Sequence, residues 1–158
     1  MRSSVFVLVV CALAATGFLV FSSLTSVSPR IHWIENYDQA LQESQASNKP
    51  LLLFFTGSDW CIWCNRLERE VFEDPQFIAS SGDRYIFLKL DFPSNKRQDS
   101  RIAKQNSQLQ GKYHIEGYPT IILLDSNERL IGTAHYEAGG GKKYALYLNK
   151  LTNSETGY

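Results

Sequence analysis

Between Pro50 and Gly57 the chain reads LLLFFT, residues 51–56, five apolar side chains in unbroken succession and then a threonine. A continuous apolar run of strand length predicts a strand buried on both faces, in the middle of a sheet covered by helices. Upstream, residues 36–49 place Tyr37, Ala40, Leu41 and Ser44 on one helical face. Downstream, residues 58–74 carry Trp60, Cys64, Leu67 and Val71 at helical spacing, and Ser58 or Asp59 can cap the start of that helix. Asp74-Pro75 ends it and opens a short turn over 75–81. Residues 84–92 read as a second strand, and 93–108 as a polar loop leading into a solvated helix that ends near Tyr113-His114. Residues 116–125 give a turn, a proline and a strand. Residues 126–129 turn a hairpin and 130–137 form its returning strand. Gly139 to Gly141 break the chain as a flexible connection, and 142–151 form a last helix with Tyr144, Leu148 and Leu151 on one side. No internal repeat is visible. The order is that of an α/β protein, a sheet with a closing antiparallel hairpin and helices on both faces.

The first 27 residues follow a different pattern. Arg2 is their only charged side chain, and Val5 to Phe21 runs apolar except for Thr16 and Gly17. A small polar stretch follows. This is the layout of an export signal, or of an N-terminal membrane anchor at the short edge of what spans a bilayer. Residues 28–158 are then expected to form one domain of ordinary size. Lys+Arg and Asp+Glu are equal at 16 each, so no basic field is present to attract nucleic acid.

The chain has three cysteines, and Cys11 lies in the apolar leader. The remaining pair, Cys61 and Cys64, is too few for a secreted fold stapled by disulfides. A strand feeding a helix puts Cys61 in the first helical turn, where unpaired N–H groups and the helix dipole favour a thiolate. Cys64 follows one turn later on the same face, within disulfide reach and more buried. Such a dithiol exchanges electrons with a substrate disulfide through a mixed disulfide. Zinc needs about four ligands, and no second cysteine pair exists to supply them. A static bridge closing so short a loop would restrict little chain entropy. No metal and no cofactor is expected.

The stretch KPLLLFFTGSDWCIWCNRLEREVF, with YHIEGYPTIILLD about 55 residues further on, resembles the thioredoxin superfamily and its exported branch with a GSxWCxWC turn. The likeness covers about residues 31–151. It implies a thioredoxin fold, a central mixed β-sheet flanked by helices on both faces, and protein-disulfide oxidoreductase activity. By the same resemblance Cys61 matches the nucleophile, Cys64 the resolving cysteine and Trp60 the flanking aromatic. Pro119 matches the superfamily's cis proline, which turns the backbone of Tyr118 toward the dithiol. Trp60, Trp63, Tyr118 and Pro119 would form the groove that receives substrate.

Two departures bear on direction. Phe55 stands where thioredoxin has a buried aspartate, six residues before the first cysteine, and Ile62-Trp63 fill the place between the cysteines. Asp59 and Glu68 are the nearby acids that could accept a proton, although both also read as surface charge. Without a cation beside Cys61, and with Asp59 adding negative charge, a reducing couple is expected. Such a protein would reduce disulfides in exported, periplasmic proteins as a monomer and draw electrons from a membrane donor. Two other readings remain open: a chaperone-like module holding unfolded chains in the aromatic groove, and a disulfide isomerase or oxidase.

Overall fold

The computed structural model describes residues 30–153, and the expected leader or anchor over 1–27 lies outside the described residues. Five strands form one mixed sheet: β1 Trp33–Ile34, β2 Leu51–Thr56, β3 Ile86–Asp91, β4 Thr120–Leu124 and β5 Leu130–His135. The spatial order is β1-β3-β2-β4-β5, with β3 parallel to both β1 and β2, and β4 antiparallel to both β2 and β5. Helices α1 Tyr37–Ser47, α2 Ile62–Leu67, α3 Pro75–Ser81, α4 Ser100–Lys112 and α5 Gly140–Asn153 flank it, and a π-helical turn, Glu68–Phe72, extends α2.

The apolar run became the central strand because it serves two cores at once. Leu52 and Phe54 join Val71, Phe72, Phe77, Tyr144 and Leu148 on one face. Leu51, Leu53 and Phe55 join Ile34, Ala40, Leu88 and Leu109 on the other. Alternate side chains of a strand point to opposite faces, so every position of β2 is buried. This places the C-terminal end of β2, and the turn after it, between two packed layers.

Two expectations change, and one strand is new. The long helix of residues 58–74 begins only at Ile62, so Trp60 leaves its apolar stripe and stands exposed, while Cys64, Leu67 and Val71 stay buried. The two-residue strand β1 carries too few positions to show a pattern. The glycine run is no flexible connection. Gly139 and Gly140 adopt φ of 130° and 76°, conformations that favour glycine, and α5 starts at Gly140. The Gly141 N–H donates to Asp74 Oδ2 at 2.9 Å, while Asp74 Oδ1 accepts the Gln76 N–H at 2.7 Å. One carboxylate therefore caps α3 and holds the start of α5.

Candidate redox site

The turn from β2 into α2 is fastened to the end of β3. Ser58 donates through its backbone N–H and its hydroxyl to the Asp91 carboxylate, at 2.8 and 2.6 Å. Asp59 accepts the backbone N–H groups of Ser94 and Asn95 at 3.0 and 2.6 Å. Those two donors hold the Asp59 carboxyl below its ordinary range. The Trp60 indole N–H donates to the Phe92 carbonyl at 2.8 Å. Neither Ser58 nor Asp59 caps α2; Ser58 is held by Asp91 at the end of β3 and Asp59 by the loop that follows.

Cys61 is the cap. Its backbone is extended, at φ −85° and ψ 99°, and its Sγ accepts the Cys64 N–H at 3.2 Å. The two cysteines are disulfide-bonded with Cα atoms 5.2 Å apart. Cys64 is fully buried, whereas Cys61 keeps a 6% opening to solvent. An incoming group meets Cys61 first.

Large exposed apolar side chains gather here. Among the described residues five such side chains stand out, and three of them, Trp60, Ile62 and Trp63, surround the disulfide. Clustered exposure of this kind marks an interaction surface. Tyr118 packs against the cluster that contains both cysteines, and its ring meets the edge of Trp60 at 5.6 Å. The Tyr118 hydroxyl accepts from Gln110 Nε2 at 2.8 Å, and burial pushes its pKa up. The Tyr118–Pro119 peptide is cis. Trp63, Tyr118, Pro119, Thr120, His135 and Tyr136 line a cleft of about 560 Å³. Tyr118, nearly 60 positions from Trp60 in sequence, thus links the parts: it meets Trp60, packs on the cluster of Cys61 and Cys64, and lines the cleft with Trp63 and Pro119.

The two acids of the sequence reading go elsewhere. Asp59 is bound to backbone, and Glu68 pairs with Lys89 in a partly buried ion pair. Phe55 lies in the core on the opposite side of the sheet from the cysteines. Among the described residues no group of three or more His, Cys, Asp or Glu side chains is arranged to hold a metal ion. Nor is any described helix long and apolar enough to cross a membrane.

The profile of the thioredoxin-like family matches residues 32–126. The chain belongs to the thioredoxin-like family. It is 32% identical over 124 residues to the disulfide bond reductase DsbH of Chlamydia pneumoniae, covering 78% of this chain and 72% of that protein. It is 36% identical over 104 residues to the thioredoxin-related protein DsbJ of Chlamydia pneumoniae, covering 66% of this chain but only 30% of that protein. The solved structure of a DsbH oxidoreductase superposes with a TM-score of 0.76 at 26% identity, covering 90% of this chain and 98% of the other. The architecture is therefore that of a DsbH-type thioredoxin fold.

Sequence reasoning missed one part of this thioredoxin-like site. Arg66 and Glu70, at i,i+4 spacing, read as a solvated helix face. The structure adds Tyr136, whose hydroxyl donates to Glu70 Oε2 at 2.6 Å across 66 positions of sequence. Nothing local to Tyr136 signals that partner.

Proposed function

We propose that this protein is an exported thiol–disulfide oxidoreductase that reduces disulfides of periplasmic proteins through Cys61 and Cys64. The observation that carries this reading is the asymmetry of the pair: Cys61, the N-cap of α2, keeps a small opening to solvent, and Cys64 has none. In the reduced protein the Cys64 N–H and the start of α2 favour a Cys61 thiolate. That thiolate attacks one sulfur of a substrate disulfide, and the other substrate sulfur leaves as a thiolate. The Cys64 thiolate then attacks Cys61 Sγ, closes the 61–64 disulfide and releases the second substrate sulfur. Two electrons pass to the substrate, which takes up two protons. In this reading Trp60 and Trp63, both exposed, and the Tyr118–Pro119 backbone receive the substrate chain.

The reducing direction is supported by charge. Ile62 and Trp63 bring no cation to Cys61, and Asp59 is held ionised two residues before it. Export is supported by the apolar stretch of residues 5–21. A membrane dithiol would then return two electrons to the 61–64 disulfide after each turnover.

Two measurements test the proposal. Equilibrated against glutathione, the pair is expected to sit closer to thioredoxin than to the strong oxidants, and a potential near that of a dedicated oxidant rejects the direction. In an insulin reduction assay Cys61→Ser abolishes turnover. The exposed aromatic patch also fits a holdase, and protection of unfolded chains that survives Cys61→Ser, with no turnover in the wild type, would establish that reading instead.

A further inference from the structure

Trp63 sits between the two cysteines, half exposed, yet its ring is not free to swing. Its indole lies 5.5 Å from the Tyr136 ring with the planes tilted by 41°. The Arg66 guanidinium stands 5.5 Å from both ring centroids. Glu70 completes the circuit: Oε1 accepts Arg66 Nε–H at 2.6 Å and Oε2 accepts the Tyr136 hydroxyl at 2.6 Å. Four side chains from α2, the π-helical turn and the segment just past β5 thereby hold one another. Arg66 and Tyr136 each touch the other three, and Trp63 and Glu70 are joined only through them.

This brace has a direction. Trp63 and Tyr136 line the same cleft as Tyr118 and Pro119, so the braced rings form one wall of it, and Trp63 directly precedes Cys64 in the chain. Arg66 and Glu70 neutralise each other, so the brace adds no net charge to that wall. The single carboxylate of the cleft lining, Glu116, is exposed to solvent. The cleft shares Trp63 with the exposed apolar patch of Trp60, Ile62 and Trp63. A chain whose sulfur reaches Cys61 lays its neighbouring residues along these rings. At about 560 Å³ the space is far larger than a small organic disulfide requires.

We propose that Arg66, Glu70 and Tyr136 are positioning residues that fix the Trp63 ring as a wall of this cleft, where it packs on an uncharged, apolar side chain adjoining the substrate's reactive cysteine. The proposal rests on the oxidoreductase reading given above and narrows its substrates to polypeptide disulfides flanked by such residues.

The test uses the full chain and three substrates: a disulfide-linked peptide with Phe beside the cysteine, the same peptide with Asp there, and 2-hydroxyethyl disulfide. The wild type prefers the Phe peptide in kcat/KM. Tyr136→Ala removes the ring contact and raises KM for the Phe peptide about two- to tenfold, with kcat moving less than twofold, so the Phe-to-Asp preference falls toward one. Tyr136→Phe keeps the ring and gives a smaller rise. Arg66→Gln, a change on a half-exposed side chain, shifts KM in the same sense and guards against a Tyr136→Ala variant that does not fold. An unchanged Phe-to-Asp preference in the variants overturns the proposal. So does an equal fall in rate on all three substrates, which would mean that the brace acts on the sulfurs or on the fold. A wild type that reduces all three without preference overturns this inference alone, and one that reduces none overturns the oxidoreductase reading with it.

Discussion

Replacing Gly57 by alanine probes how the turn before Cys61 is assembled. Gly57 lies directly under the Trp60 indole. A Cβ at this position would come within 2.3 Å of Trp60 Cε2 and 2.6 Å of its Nε1. Neither distance is tolerable, so the ring must leave. Leaving breaks the indole hydrogen bond to the Phe92 carbonyl and the edge contact with Tyr118. The hydrogen bond contributes about 1 kcal/mol and the ring contact a similar amount, a loss of about 2 kcal/mol. Alanine also restricts the unfolded chain, which offsets about 0.4–1 kcal/mol. The net destabilisation is about 1 kcal/mol, roughly a factor of five in the folded-to-unfolded ratio. Urea unfolding should show this as a midpoint lowered by about 0.5 M. Tryptophan emission should change in the native baseline, and KM for insulin should rise because Trp60 flanks Cys61. A midpoint at or above that of the wild type, with unaltered emission, would refute the packing of Trp60 on Gly57.

Other changes have equally definite outcomes. Gly141→Ala would place a Cβ 2.7 Å from Phe77 Cβ and 2.8 Å from Asp74 Cβ, so it destabilises by about 1–3 kcal/mol, whereas Gly111→Ala on α4 meets nothing within 4 Å and stabilises by about 0.5–1 kcal/mol. Thermal unfolding of the pair gives shifts of opposite sign, and shifts of like sign would contradict the close approach at Gly141. Asp74→Ala frees two helix-start N–H groups at once and costs about 1–3 kcal/mol in denaturant titrations, more than one ordinary cap. Leu52→Ala, fully buried in β2, costs about 2–5 kcal/mol by the same measurement. The Asp59 carboxyl is lowered by the Ser94 and Asn95 N–H groups, so its contribution is complete above the unfolded value of about 4 and fades as pH falls through the folded value. The stability gap between wild type and Asp59→Asn should therefore narrow on acidification below about pH 4, and a gap that stays constant across that range would count against the clasp.

What could be read from the chain alone follows from the range of the forces involved. LLLFFT announces a doubly buried strand because burial on both faces leaves no polar alternation. The cysteine pair is legible because two sulfurs one helical turn apart have few other uses. Pro119 and Tyr118 acquired a place at the site only through the family resemblance; no local pattern carries them there. The spacing of Trp60 to Cys64 fits a helix stripe, yet its indole is bound to the Phe92 carbonyl, a partner 32 positions distant. Gly139 to Gly141 look like a hinge in one dimension and become a helix start only when Asp74 arrives from 67 positions away. The Tyr136–Glu70 bond is hidden for the same reason. Periodicity records which face of an element is buried. It is silent on which distant polar group completes a terminus or braces a ring.

The sulfur that caps α2 links two equilibria usually measured apart. The Cys64 N–H meets a disulfide sulfur while the bridge is closed and would meet a thiol or thiolate once it is open, so the firmness of the opening turn of α2 depends on oxidation state. Around a closed cycle of folding and oxidation, any difference in conformational stability between the two oxidation states must reappear as a displacement of the couple from that of an unstructured dithiol. The exchange rate is about 30 mV for each 1.4 kcal/mol. A pair of denaturation curves, one for each oxidation state, is in this sense a voltmeter for the protein.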